Sequence, residues 1–362
     1  MKILYGVQGT GNGHIARARV MAKAMAKREE IEVDFIFSGR APEDYFDMQV
    51  FGNYRALSGL TFVTENGCVN RWKTLQQAKL KQLVKDVRSL DLCHYDVLLN
   101  DFDPVTAWAA KISDLASISV SHQAAFKHKI PKQGQTLTDR ILTRLFAPCD
   151  IHLGVHWYHF GFPIMPPFIE ETVDAAIAEE KILVYLPFEN INDIQQLFAQ
   201  FPQLSFECYH PEIKQARRNA NIQWKALSKA AFQQSLFRCC GVIANGGFEL
   251  ASECLQLGKK ILIKPLQNQY EQSSNVLTLE RMQRCLSMPT LDPKIVDTWL
   301  TQPSPQPIRY PNNPDIFIDW LLDESWEDTK ELCDQLWSQT HFPDDVTQGL
   351  VKLTSPFSRS FS

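Results

Sequence analysis

The first fourteen residues, Met1-Lys-Ile-Leu-Tyr-Gly-Val-Gln-Gly-Thr-Gly-Asn-Gly-His14, constrain the fold more than any other stretch. Ile3 to Val7 is an apolar run of the kind a buried strand makes, and it breaks into glycines at alternate positions. Ile15 to Arg28 then reads as a helix, with Ile15, Ala18, Ala22 and Met25 on one face and Arg19, Lys23 and Lys27 on another. Gly9, Gly11 and Gly13 admit backbone paths that a side chain would block. They also bring amide N–H groups to a helix N-terminus, where anions are favoured. Two familiar phosphate motifs do not fit. The spacing G-x-G-x-x-G requires glycine where His14 stands, and a P-loop requires Gly-Lys-Ser/Thr where Gly11 is followed by Asn12. What remains is a strand–turn–helix presenting a histidine at the carboxyl edge of a sheet, where open α/β folds keep their ligands.

A chain of 362 residues is long for one core and natural for two domains. With 44% hydrophobic residues, 22% charged and a net charge of −4, the composition is that of a soluble globular protein with no nucleic acid partner. No apolar run approaches the roughly 18 residues of a membrane span, and Ile3 to Val7 is too short for a signal-peptide core. Nine cysteines are scattered without metal spacing, which reads as reduced thiols in the cytoplasm.

The alternation of elements predicts a parallel sheet covered by helices, twice over. In the first half the strands are Glu32 to Ser38, Tyr95 to Asn100 and Leu115 to Val120, with helices over Thr74 to Leu90 and Val105 to Lys111. The proline-rich run near residue 160 cannot continue a helix or an interior strand and is expected to be a linker. Strands then recur at Lys181 to Leu186, Leu204 to Tyr209, Ile222 to Leu227, Gly241 to Asn245 and Lys260 to Lys264. The expected boundaries are 1–160 for the first domain, 161–168 for the linker and 169–315 for the second domain. Terminal helices over 316–354, packing back on the first domain, and a disordered tail, 355–362, follow. Residues 286–315, rich in proline, are expected to wrap the surface.

A second glycine turn, Gly246-Gly247, closes a strand and opens a helix, offering another helix N-terminus for phosphate. Glu249 and Glu253 lie four residues apart on one face of that helix, where a carboxylate can accept both hydroxyls of a ribose diol. The loop after the next strand carries Gln267, Asn268, Gln269, Gln272 and Asn275, amides that suit sugar hydroxyls.

These stretches resemble those of GT-B glycosyltransferases, in the style of the peptidoglycan N-acetylglucosaminyltransferase and related glycolipid enzymes. Gly9-Thr-Gly-Asn-Gly-His14 resembles their N-terminal glycine loop, and Gly247 to Glu253 with Pro265, Gln267, Gln272 and Asn275 resembles their donor-binding segment. The likeness implies two Rossmann-like domains facing across a cleft, a UDP-linked sugar donor on the second and a hydroxyl acceptor on the first. It implies no cofactor and no metal. Residue by residue, it puts Glu253 on the donor ribose, Gly246 and Gly247 by the diphosphate, Gln272 and Asn275 on the sugar, and His14 at the acceptor hydroxyl. Arg17 stands where the peptidoglycan enzyme has proline, and Tyr270-Glu271 replace its more usual Asp-Arg residues.

A sugar hydroxyl is a poor nucleophile near pH 7 and needs a base, for which neutral histidine is suited. A carboxylate on the other ring nitrogen would fix its tautomer. Asp101, directly after a strand, and Asp103 are the candidates. Ser121-His122-Gln123 follows a strand and places His122 either in the acceptor cleft or in a capping or core role. His152, His156 and His159 have helical spacing but no accompanying carboxylate or cysteine set, so they read as packing. Phe126 to Lys132 and Arg140 to Phe146 mix basic and apolar residues, which suits either a peripheral membrane contact with a lipid-linked acceptor or a solvated amphipathic helix. A nucleotide-sugar hydrolase or epimerase on the same scaffold, or a binding protein without catalysis, are the competing readings.

Overall fold

The structure is a computed structural model that describes residues 1–60, 64–65, 68–69, 80–169, 180–312 and 314–354. Two seven-stranded sheets organise it. The first is all parallel, in the order Tyr54–Leu57, Glu32–Ser38, Lys2–Gln8, Val97–Asp101, Ser117–Ser121, Ile151–Val155, Ile164–Met165. The second runs Arg217–Asn219, Ile222–Lys225, Ser205–Tyr209, Lys181–Tyr185, Gly241–Asn245, Lys260–Lys264, Cys285–Ser287, and only the Arg217–Asn219 edge is antiparallel. Helices cover both faces, so the central strands are continuous apolar runs: Ile3, Leu4, Tyr5 and Val7 are all fully buried. Among the parallel strands of each sheet the order reverses once, beside Lys2–Gln8 and beside Lys181–Tyr185. These switch points open a crevice at the carboxyl ends of the strands, and the two crevices face one another.

Several elements differ from the sequence reading. Within 161–168, Ile164–Met165 is a buried edge strand of the first sheet, a place where neighbouring prolines are tolerated. Residues 286–315 do not simply wrap the surface. They contain the end of the strand Cys285–Ser287 and the helix Pro293–Leu300, whose Trp299 is fully buried. Pro293 opens that helix at its first position, with Asp292 capping it, and so does not break it. Arg19, placed on the helix face away from the apolar one, is buried and donates to the carbonyls of Phe46 and Asp47. The helix expected over Thr74 to Leu90 is described from Leu80 to Arg88, and its earlier part and the tail 355–362 lie outside the described residues. The helices Asp315–Leu322 and Thr329–Ser338 touch the first half: Arg28 donates to Asp319 at 2.5 Å and Trp337 Nε1 to the carbonyl of Ile164 at 2.6 Å.

The centre of the first sheet depends on a close approach at Gly6. A Cβ there would lie 1.9 Å from Thr106 Oγ1 of the helix Pro104–Ser113. Thr106 cannot easily yield, because its hydroxyl donates to Asp103 Oδ2 and accepts from Asn100 Nδ2. Gly6→Ala should therefore cost about 3 kcal/mol, the upper end for overpacking a buried site. A urea midpoint within error of the parent's would refute this.

Candidate active site

The first helix, Asn12–Met25, starts directly from the glycine turn, with His14 and Arg17 one turn apart on the same face. Asp101 is the last residue of the neighbouring strand and pairs in register with Val7, so its carboxylate meets that face. His14 Nδ1 lies 2.8 Å from Asp101 Oδ1, leaving Nε2 toward a cleft of about 740 Å³ that His14 lines. Arg17 grips the same carboxylate with two bonds of 2.9 Å, from Nε to Oδ2 and from Nη2 to Oδ1. Its Nη1 donates to Glu249 from the second half, which closes a network of four residues across the cleft. Burial alone would raise the Asp101 carboxyl, but Arg17 and His14 outweigh it and hold it below the usual range. Burial likewise opposes the Arg17 charge, and the two carboxylates more than restore it. Glu249 is pushed up by burial, against the pull of Arg17.

Arg17 and Glu249 are the members of this network to which the sequence reading gave no role in it. The glycine turn makes their meeting possible: a Cβ on Gly13 would stand 3.0 Å from Glu249 Cγ. Gly9 is similarly tight, its Cβ position falling 2.1 Å from the Tyr45 hydroxyl, whereas Gly11 faces open space. None of the three adopts a left-handed backbone. Two of them serve close approach, not an unusual conformation.

Asp103, the second candidate partner, is not beside His14. It caps the helix Pro104–Ser113, accepting from Thr106 N and Oγ1, and from the Ser38 hydroxyl. The Asp-x-Asp spelling of Asp101-Phe102-Asp103 is thus divided between two separate networks.

The second glycine turn faces the first. Gly246 N donates to Gln272 Oε1 at 3.0 Å, and Gly247 N to the carbonyl of Asn245 at 2.9 Å, so neither amide is left for an anion. The first-turn amides of the helix Phe248–Leu257 have no intrahelical partner, and Phe248, Glu249 and Leu250 line the cleft. Gln272 lines it too, although its carbonyl oxygen is taken by Gly246 and by Leu266 N. Asn275 is fully buried. Its Nδ2 donates to the carbonyl of Gly246, and its Oδ1 lies 2.7 Å from His122 Nε2. It braces the turn. Gln267 is exposed over a separate depression beside Glu189 and Lys264. Glu253 lies one turn deeper than Glu249, in an adjoining cavity of about 140 Å³, where it accepts from Gln233 at 2.8 Å.

His122 lines the cleft and also serves as a cross-brace between the two halves. It is almost wholly buried and stacks on Phe248 with ring centres 4.0 Å apart. Its Nδ1 lies 2.9 Å from the Val155 carbonyl, and burial holds its pKa below the ordinary histidine value. His156 is buried among the same aromatic rings. No described helix is long and apolar enough to cross a membrane.

Known structures share this architecture. A glycosyltransferase from Streptomyces nogalater, SnogD, is 14% identical and superposes with a TM-score of 0.52 over 98% of this chain and 99% of its own. UGT2 of Phytolacca americana, solved with UDP-2fluoro-glucose and pterostilbene, gives 11%, 0.55 and 98% of each chain. MurG of Acinetobacter baumannii gives 15% and 0.50, over 83% of this chain and 89% of its own. At such identities these likenesses establish the fold, the GT-B pair of Rossmann-like domains across a cleft. No curated protein matches the chain. The sequence model of glycosyl transferase family 1 matches residues 1–303, and the chain belongs to that family and is a glycosyltransferase.

Proposed function

We propose that the enzyme moves a sugar from a UDP-linked donor to a hydroxyl acceptor by inverting displacement, with His14 as base. The observation that carries this reading is the His14–Asp101 contact at the cleft, which leaves Nε2 for the acceptor. Nε2 takes the acceptor proton as its oxygen attacks the anomeric carbon, and the bond to the diphosphate breaks on the opposite face. Asp101 fixes the tautomer and steadies the imidazolium. The departing negative charge meets the first-turn amides at Phe248, Glu249 and Leu250. Both carboxylates of Asp101-Phe102-Asp103 are engaged within the protein, and no step draws on a metal. The smaller cavity shares Asn12, Tyr185 and Leu227 with the cleft, which supports a nucleoside reaching far enough for Glu253 to hold its ribose.

The acceptor side supports a lipid-linked substrate. The helix Leu137–Phe146 exposes Leu137, Ile141, Leu142 and Leu145, and Arg140, Arg144 and Lys129 are exposed beside them. In a chain of net charge −4, that local basic and apolar surface fits an anionic membrane. Flotation with vesicles containing phosphatidylglycerol should carry the protein upward, and its absence would remove the membrane part of the reading. A nucleotide-sugar screen tests the rest: UDP-sugars should raise the melting temperature, and UDP release should require an added acceptor. Free sugar produced without an acceptor would favour hydrolysis instead.

A further inference from the structure

The cleft holds a guanidinium that no carboxylate bonds among the described residues. Arg40 follows the strand Glu32–Ser38 and lines the cleft with Thr10, Asn12 and Tyr45. Its Nη2 donates to the carbonyl of Thr10 at 2.9 Å, and its Nη1 to Asn12 Oδ1 at 3.1 Å and, weakly, to the carbonyl of Asp44 at 3.4 Å. The Tyr45 ring backs it, with its centre 5.3 Å from Cζ. All of these acceptors are neutral. Glu43 and Asp44 also line the cleft, but both are exposed, and among the described residues no carboxylate comes within ion-pair distance of Arg40. By contrast, the buried Arg17 and Arg284 each bond a carboxylate.

We propose that Arg40 is an anion-binding residue of the cleft, receiving a phosphoryl or carboxylate group carried by one of the two substrates. A half-buried cation bonded to no carboxylate, with Asp44 acting on it only at longer range, is costly to keep. That cost is recovered when a ligand supplies the charge. The burial that holds the Arg40 pKa down in the free protein fits this expectation. The group is also held in place in advance: the carbonyl of Thr10, Asn12 Oδ1 and the tyrosine ring fix its orientation before any ligand arrives, which spares ordering cost on binding. It is fastened to the same turn that ends in His14, so the bound anion lies next to the reacting centre. Two sources fit this chemistry: the diphosphate of the donor, or an anionic group on the acceptor.

The inference rests on the nucleotide-sugar reading, and one set of titrations separates the two. Full-length protein and Arg40→Gln are titrated by calorimetry with UDP and uridine. Glucose 6-phosphate and glucose are then titrated with UDP saturating. Arg40→Gln should weaken an anionic probe by about ten- to a hundredfold, as expected for loss of a charge-assisted bond, and leave uridine and glucose unchanged. Loss on UDP assigns the donor diphosphate, and loss on glucose 6-phosphate assigns the acceptor. Arg40→Lys, which keeps the charge but loses the fork, should retain part of the affinity. A variant that fails merely by misshaping the glycine loop would weaken uridine as much as UDP, and that result would overturn the proposal. So would an Arg40→Gln protein that matches the parent on both anionic probes. A parent protein that binds neither UDP nor uridine would instead bring down the nucleotide-sugar reading, and this inference with it.

Discussion

Replacing His14 with alanine should lower turnover by about 10²–10⁴-fold, the usual contribution of a positioned general base, while UDP affinity stays within about twofold. The two effects separate because the histidine and the amides proposed to meet the diphosphate sit on opposite walls. His14 projects from the first half, whereas Phe248, Glu249 and Leu250 belong to the second. The rate loss corresponds to about 3–5 kcal/mol of transition-state stabilisation. The measurement is UDP release on whichever donor–acceptor pair turns over, with calorimetry for UDP. Full activity in His14→Ala would end the base assignment. Asp101→Asn is a less clean probe of the same chemistry, because Asp101 also takes two bonds from Arg17. Its loss would mix catalysis with a buried guanidinium left with Glu249 as its carboxylate partner.

The His14–Asp101 contact was largely legible in the sequence, because both members sit where strand ends lead into turns. A glycine turn that stops at a histidine, and an aspartate directly after an apolar strand, converge in a parallel sheet once the strands are neighbours. The central strands were legible for a related reason, since burial on both faces writes an unbroken apolar run. Short edge strands such as Tyr54–Leu57 and Ile164–Met165 leave too few residues for any period to show. The amides were harder to interpret. Gln272 and Asn275 have the composition of a sugar site, yet the structure turns most of their bonding inward on the glycine turn. An amide's identity does not reveal whether its partner is a hydroxyl or a backbone group. The Arg17–Glu249 contact spans 232 residues, and no local pattern announces it. The one available signal was the arginine itself, on the face of His14 where the resembled enzyme has proline.

That arginine should be the most costly single residue in the site to remove. Arg17→Met would leave the buried Asp101 and the largely buried Glu249 facing each other with no cation between them. Breaking a buried pair in this way typically costs about 3–5 kcal/mol, because the orphaned charge remains desolvated. Adding Glu249→Gln should recover at least about 1 kcal/mol by removing one of the two unpaired charges. The pH dependence gives a sharper test. In the parent, the Asp101 carboxyl is held below its ordinary value. It therefore stabilises the fold above the unfolded pKa of about 3.9, and that stability is lost as pH falls through the folded value. Without Arg17, burial dominates and the Asp101 carboxyl rises, joining Glu249, which burial already raises. Protonation then relieves the variant before it harms the parent. The stability gap between the two, read from urea midpoints, should be largest near pH 7 and shrink toward about pH 4.5. An equal gap at both pH values would mean that Arg17 acts through packing alone, and that the network does not hold its carboxylates by charge.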